Sequence, residues 1–472
     1  MRSTIVTALI VATALFMENM DGTVLATSLP AIAKDLGQDP IVLKLALTSY
    51  LLTLAVFIPA SGWVADKVGA RTVFSTAILV FTLGSIACGA SRTLPELIAA
   101  RVFQGLGGAM MVPVGRLVLL RSVPKAEIVA AMAYLTMPAL IGPVLGPPLG
   151  GFITTYFNWR WIFWINVPIG VLGIMLTMWR IENVRELDVP PFDFKGFWLS
   201  GFGMLSLVFG LTIVGRSMLP EWQVAALIAL GALSLAAYVG HARRTPNAII
   251  DLSLLKLPTF LAGVGGGMLF RVGIGALPFL LPLLLQLGFG LSPFESGSLT
   301  FAAAVGAMGM KMSASFFLRR FGFRRVLLAN GALSCAFLAS YGLFGPTTSH
   351  LVIFVSLLVG GYFRSLEFTA LNAIGYADIA QERMSRATSF ASVVQQMSSA
   401  VGVAVAAASI EGLQYAYGDA TLSQRSMNGT FLVVALVSLG SLPFFWRLTP
   451  DAGAEVSGKR DPLQGGAPVP AA

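Results

Sequence analysis

Apolar runs of about twenty residues recur from one end of this chain to the other, and no other property restricts its fold as tightly. A helix needs roughly 20 apolar residues to cross the hydrocarbon of a bilayer. By that measure about fourteen segments qualify, near 5–27, 44–65, 72–90, 96–115, 129–155, 161–179, 196–214, 222–241, 259–286, 296–317, 326–345, 351–376, 387–410 and 428–446. Only 11% of the 472 residues are charged, against about 25% in soluble domains. Lipid offers the backbone no hydrogen-bond partner, so each run is driven into a helix. An all-α polytopic membrane protein is expected. The first run carries Glu18 and Asp21 and lacks a small-residue cleavage site, so it reads as a retained helix, not a signal peptide. The closing stretch 448–472 is rich in Gly, Pro and Ala and reads as a disordered cytoplasmic tail.

Charge follows topology. With the N-terminus inside, 21 of the 31 Lys and Arg fall in the cytoplasmic loops and ends, against 6 in the opposite loops. Short loops rich in Lys and Arg stay cytoplasmic, so both termini are expected there. The net charge of +9 then needs no nucleic acid partner, and no basic patch with interleaved aromatics occurs. Cys88 and Cys335 sit far apart in apolar runs, and His241 and His350 stand alone, so neither a disulfide framework nor a metal site is indicated. No GxxxxGK[ST] segment is present, which argues against self-contained ATP drive. Within the spans there is no Ser/His dyad or His-Glu-x-x-His, so an intramembrane enzyme is not expected.

Seven charges remain inside the spans: Arg101, Arg271, Lys311, Arg364, Glu18, Asp21 and Glu367. Each costs about 2.5–3.5 kcal/mol at mid-membrane even on insertion scales, so such groups face a partner or a polar cavity. Glu18 and Asp21 lie three apart and share a helix face. Their mutual repulsion in a low dielectric favours a proton on one of them; the alternative is a pair bonded to neighbouring helices. Arg101 cannot be neutralised and needs an acceptor, for which Asp21 is the candidate. The pair either responds to a proton or stands as a static buried ion pair. Arg364 and Glu367 echo the Arg101-x-x-Gln104 spacing, and with Arg271 they either bind an anionic or zwitterionic substrate or neutralise one another.

The stretch PALIGPVLGPPLGG, residues 138–151, packs Gly142, Pro143, Gly146, Pro147, Gly150 and Gly151 into one span. Each interior Pro costs roughly 3 kcal/mol in a helix in water and each Gly about 1. In lipid a bent helix with a bare glycine face is expected, open to close approach by another helix. A weak repeat relates SGWVADKVGARTVF, after the second span, to SFFLRRFGFRRVLL, after the tenth, with Gly69 on Gly322 and Arg71 on Arg324. The chain thus divides into a six-helix half (1–180), two linking spans (181–258) and a second six-helix half (259–447).

These segments resemble the major facilitator superfamily, in its fourteen-span drug:proton antiporter branch. GWVADKVGAR, with Gly62, Asp66, Gly69 and Arg71, is similar to the loop between that superfamily's second and third helices. RVFQGLGG, with Arg101 and Gln104, is similar to its fourth-helix motif, and the 138–151 stretch to the fifth-helix motif of antiporters. MDGTVLATSLPAIA is similar to the first-helix motif of the branch. The resemblance implies the major facilitator fold, with Asp66 and Arg71 in a cytoplasmic gate, Arg101 tied to proton transfer, and the glycine helix packed against the opposite half. It departs from the pattern at Glu18, where relatives usually carry a neutral residue.

The function expected is a proton-coupled exporter of small molecules in a bacterial inner membrane. It would be driven by the proton gradient without a cofactor, with Asp21, Glu18 and Arg101 in coupling. Gln104, Arg271, Arg364 and Glu367 are the substrate-binding candidates. The rival cargo is an organic anion or metal-chelate metabolite such as citrate or iron-citrate. A non-transporting membrane sensor is the reading from another class. The sequence does not determine a periplasmic adaptor.

Overall fold

The computed structural model describes residues 2–122, 128–183, 185, 189, 191–213, 219–380, 383–419 and 421–457. Its helices in chain order are α1 (Arg2–Asp35), α2 (Lys44–Val68), α3 (Ala70–Ala90), α4 (Leu94–Ser122) and α5 (Ile128–Tyr156). Then come α6 (Trp161–Arg180), α7 (Phe194–Ile213), α8 (Glu221–Ala242) and α9 (Pro258–Gly288). The last five are α10 (Pro293–Phe321), α11 (Phe323–Leu343), α12 (His350–Tyr376), α13 (Met384–Tyr417) and α14 (Gln424–Trp446). Among the described residues twelve of these are long and apolar enough to cross a membrane. Helix α10 adds one when its two arms, bent by 60° beside Lys311, count as a single span. Helix α5, at 29 residues, extends about 43 Å at 1.5 Å per residue. The fold class expected from the apolar runs is the one observed.

Short connections make consecutive helices antiparallel. Gly69 closes α2 and opens α3 with φ 107°, and Gly322 does the same between α10 and α11 with φ 75°. A side chain would strain either turn, which is why both positions of the sequence repeat carry glycine. Helix α10 starts with a capping box in which Ser292 and Glu295 satisfy each other's backbone amides.

Packing pairs also repeat. Helix α1 lies against α5, α2 and α3 against α4, and α3 against α6; displaced by eight helices, α9 lies against α13, α10 and α11 against α12, and α11 against α14. Helices α7 and α8 pack on each other, with α7 resting on α2 and α13. The two sets meet along α5–α10 and α2–α13. At the end of the molecule away from the chain termini, Lys44 on α2 forms a 3.5 Å ion pair with Glu411 on α13. There too Gln286 of α9 donates to the Thr27 carbonyl of α1 at 2.7 Å.

The start of the tail is described. Residues 451–457, read from composition as part of a disordered segment, include a helical turn at Ala454–Ser457. Gly453, at φ 67°, turns the chain so closely onto α11 and α12 that a Cβ there would lie 2.7 Å from Ile374 and 2.8 Å from Phe323. That apolar seat orders what composition alone left free. Residues 458–472 lie outside the described residues.

Candidate functional site

Asp21 projects from the middle of α1 into the first set of helices and is 2% exposed; Arg101 of α4 is fully buried. The guanidinium Nη1 of Arg101 is 2.5 Å from Asp21 Oδ2 and donates at 2.6 Å to Gln104 Oε1, one turn along α4. Gln104 returns its amide to Asp21 Oδ1 at 2.9 Å and to Ser85 Oγ of α3 at 2.8 Å. Asn166 of α6 reaches the same Asp21 oxygen and the same Ser85 hydroxyl, each at 3.3 Å. Arg101 Nε donates to the Ala46 carbonyl of α2 at 3.2 Å, and the Tyr50 ring covers the guanidinium at 4.2 Å. Five helices therefore converge on one carboxylate and one guanidinium, closed off from water. Burial is tolerable because the charges are paired and nearly every lone pair is engaged.

Some polar atoms at the edge of this network are not engaged. Glu18 Oε2, Tyr50 Oη and Asn166 Oδ1 are buried with no hydrogen-bond partner among the described residues. They lie on three helices, α1, α2 and α6.

The glycine helix sets how close α1 comes to α5. Gly142, Gly146 and Gly150 form one stripe that faces α1 beside Asp21. A Cβ on Gly142 would be 3.1 Å from the Met20 nitrogen, one on Gly146 2.7 Å from Thr23 Cβ, and one on Gly150 2.7 Å from the Val24 carbonyl. Gly151 turns the other way, toward α10, where a Cβ would lie 2.8 Å from Phe294 Cα. Pro147 faces the same helix and fits against Gly297, while Pro143 is half-buried. The whole motif was expected to face the opposite half. Only its Pro147–Gly151 edge does, because glycines four apart share one face and Gly151 falls about 100° round the helix from Gly150.

At the end bearing the chain termini, Arg71 donates from Nη1 to the Ile181 carbonyl at 3.3 Å, and Asn183 Oδ1 accepts from the Thr72 amide at 3.3 Å. Asp66 is half-buried in the last turn of α2. A Cβ on Gly69 would overlap the Asn183 side chain, whereas Gly62 faces open space. The expected gate loop is thus docked on the stretch that follows α6.

The second set of helices differs. Arg271 of α9 is 5% exposed and among the described residues holds only neutral partners: Asn372 Oδ1 at 3.1 Å, the Gly263 carbonyl at 3.4 Å and the Phe368 ring at 5.6 Å. It follows a π-helical stretch at Leu261–Gly266, which leaves that carbonyl available. Arg364, half-buried at mid-α12, has no hydrogen bond or ion pair among the described residues. Glu367, fully buried, turns toward α11 and accepts from Asn330 Nδ2 at 2.8 Å. Arg364, Glu367 and Arg271 do not neutralise one another.

Sequence reasoning missed Ser85, Asn166, Tyr50 and Asn330. The available signal was a lone polar residue within an apolar run, as in WINVPIG around Asn166. Cys88, read as packing, lies at the network's edge, 3.5 Å from Gln104 Oε1. His241, read as isolated, is 2.7 Å from Asp193 Oδ1 and ties α8 to the start of α7.

Comparison with known proteins matches the geometry. The family model described as Major Facilitator Superfamily covers residues 11–403. A protein named "Putative multidrug resistance protein MdtD" from Klebsiella pneumoniae subsp. pneumoniae is 39% identical over 450 residues, 94% of this chain and 95% of the relative. Its namesake from Citrobacter koseri is 40% identical over 431 residues, 91% of each. Among solved structures, the POT family transporter PepTSo aligns with TM-score 0.70 at 12% identity, over 94% of this chain and 99% of the other. The nucleoside transporter NupG aligns with TM-score 0.65 at 14% identity, over 93% and 98%. A bundle of membrane-crossing helices around a sealed Asp–Arg pair, matched along nearly its whole length, makes this chain a transporter of the major facilitator superfamily.

Proposed function

We propose that this protein is a proton-coupled exporter that moves small molecules out of the cytoplasm by alternating access. Residues 1–180 and 259–447 act as two halves rocking about a central path, in a bacterial cytoplasmic membrane with both termini inside. The observation that carries this reading is the Asp21–Arg101 pair, in which Asp21 is the one carboxylate bonded to the buried guanidinium among the described residues. A proton delivered to Asp21 removes the negative charge and leaves Arg101 buried beside Gln104, Ala46 and Tyr50 alone. Losing one partner of a buried pair costs about 3–5 kcal/mol. That is enough to move a two-state equilibrium across its midpoint. The stripe of Gly142, Gly146 and Gly150 would carry the change from α1 to α5, and α5 meets the other half at Gly151 and Gly297.

The name that the relatives carry supports drug-like cargo. A second reading, export of an organic anion or its metal chelate, is favoured by Arg271 and Arg364, two cations at mid-span with no carboxylate partner among the described residues. An anion entering there would supply the missing charge. Untargeted comparison of compounds exported by cells overproducing the wild type and Asp21→Asn tests the proposal. Compounds expelled by the wild type and retained by the variant are expected, and their charge separates the two cargo readings. Identical export profiles would remove the exporter role.

A further inference from the structure

A cavity of about 490 Å³ lies away from the Asp21 network, toward the end of the molecule that bears the chain termini. It is bounded by α10, α12, the start of α11 and the tail. Its size falls within the roughly 300–1,000 Å³ of small-molecule sites. One wall carries Lys311, Ser315, Arg319 and Thr369, and another is apolar, with Leu318 and Phe323. Lys311 Nζ donates to Thr369 Oγ1 at 2.9 Å, and among the described residues Arg319 reaches only Ser315, at its hydroxyl and carbonyl, both 3.3 Å. Among the described residues neither cation has a carboxylate within ion-pair distance.

The remaining wall is the tail, through Glu455 and Val456. Its seat on Ile374 and Phe323, set by Gly453, holds this wall against α11 and α12. Glu455 borders the cavity without forming an ion pair among the described residues. The cavity therefore offers two positive charges, an apolar face and a seated lid that bears one acid. A neutral or cationic guest would gain nothing from the two cations, and a small hydrophilic anion would leave the apolar wall unused. Basic pockets between spans recognise anionic headgroups by this combination.

We propose that this cavity is a binding site for an amphipathic organic anion, a sulfonate-like or phosphodiester-like group on an apolar body, with residues 451–457 as its lid and Glu455 as the competing acid. The anionic group sits between Lys311 and Arg319, and the apolar body lies on Leu318 and Phe323. The guest comes either from a membrane phospholipid headgroup or from a soluble anion. The proposal stands apart from proton coupling, since none of its residues belongs to the Asp21 network.

Calorimetry on the full-length protein in phosphatidylcholine nanodiscs provides the test, with naphthalene-1-sulfonate as probe and the neutral naphthalene-1-sulfonamide as control. Lys311→Gln and Arg319→Gln are each expected to weaken the sulfonate roughly tenfold, the loss of one charge-assisted contact, without changing the sulfonamide. Glu455→Gln is expected to tighten the sulfonate. Both cations are exposed, and an unchanged thermal midpoint shows that the variants are folded. Equal sulfonate affinity in the wild type, Lys311→Gln and Arg319→Gln, or equal binding of sulfonate and sulfonamide, overturns the site. Native mass spectrometry with added phosphatidylglycerol then identifies the source. Displacement of the sulfonate points to a lipid headgroup, and retention to a soluble anion.

Discussion

Replacing Gly150 by alanine should loosen the Asp21–Arg101 pair without touching either residue. The added Cβ would lie 2.7 Å from the Val24 carbonyl oxygen and 3.0 Å from Val24 Cα. Both are backbone atoms of α1, so no side chain can swing aside. Ordinary contact begins near 3.4 Å, so α1 and α5 must part by about 0.7 Å. Val24 is one turn from Asp21, and a shift of that size directed away from α4 stretches the 2.5 Å pair to roughly 3.2 Å. At an effective dielectric of about 20 the attraction then falls by about 1.5 kcal/mol. Overpacking itself costs about 1–3 kcal/mol, so Gly150→Ala should destabilise the protein by roughly 2.5–4.5 kcal/mol. Gly22→Ala is the control, because a Cβ there meets nothing within 4 Å. Within a helix it should be neutral or stabilise by up to about 1 kcal/mol. Thermal unfolding of both variants in the same detergent measures the difference. Equal midpoints would refute the reasoning that the glycine stripe sets the distance between α1 and α5.

Other outcomes follow from the same geometry. Asp21→Asn should destabilise by about 3–5 kcal/mol, and Arg101→Gln added to it should recover part of that loss, since the stranded charge is gone; unfolding of the single and double variants checks this. Gly69→Ala should cost at least about 1 kcal/mol because of its φ of 107° and the overlap with Asn183, and Asn183→Ala in the same background should relieve only the overlap. Burial raises the Asp251 carboxyl, but hydrogen bonds from Ser253 and Arg383 outweigh it and hold the group below its ordinary range. Its contribution is therefore present above the unfolded value, about 3.9, and lost as pH falls through the lower folded value. Hydrogen exchange of residues 246–257 should accelerate over that acid range in the wild type and be fast throughout in Asp251→Asn. Arg271→Ala should weaken transport of an anionic substrate more than a cationic one, and equal effects would remove the anion reading.

The spans were legible because a bilayer imposes a length and an apolar composition that any reader can measure. The Asp21–Arg101 pair was legible for a related reason: a guanidinium inside lipid must have an acceptor, and few acids were available. Gln104 was harder. Offered as a substrate-binding candidate, it lies buried within the pair's own hydrogen bonds, because position 104 follows Arg101 by one turn and faces α3 as well as α1. Glu367 was offered as a substrate ligand for the same kind of reason, and it faces Asn330 on α11. Which side of a helix meets which neighbour depends on rotation about its axis, and a span that is apolar all the way round has no polar face to fix that rotation. Ser85 and Asn166 were invisible on the same ground, as single polar residues are ordinary in spans until a partner is known. The tail escaped because seven residues seated on Ile374 and Phe323 leave no periodic signal.

Protonation of Asp21 is proposed to drive exchange. This is tested most directly in proteoliposomes holding wild type or Asp21→Asn, with a pH-sensitive dye inside and the exported compound supplied on one side. The wild type should move protons against the compound and build a gradient of it from an imposed pH difference. Asp21→Asn should carry the compound only down its own gradient, with no proton movement. Proton-driven accumulation by Asp21→Asn at the wild-type rate would contradict the account.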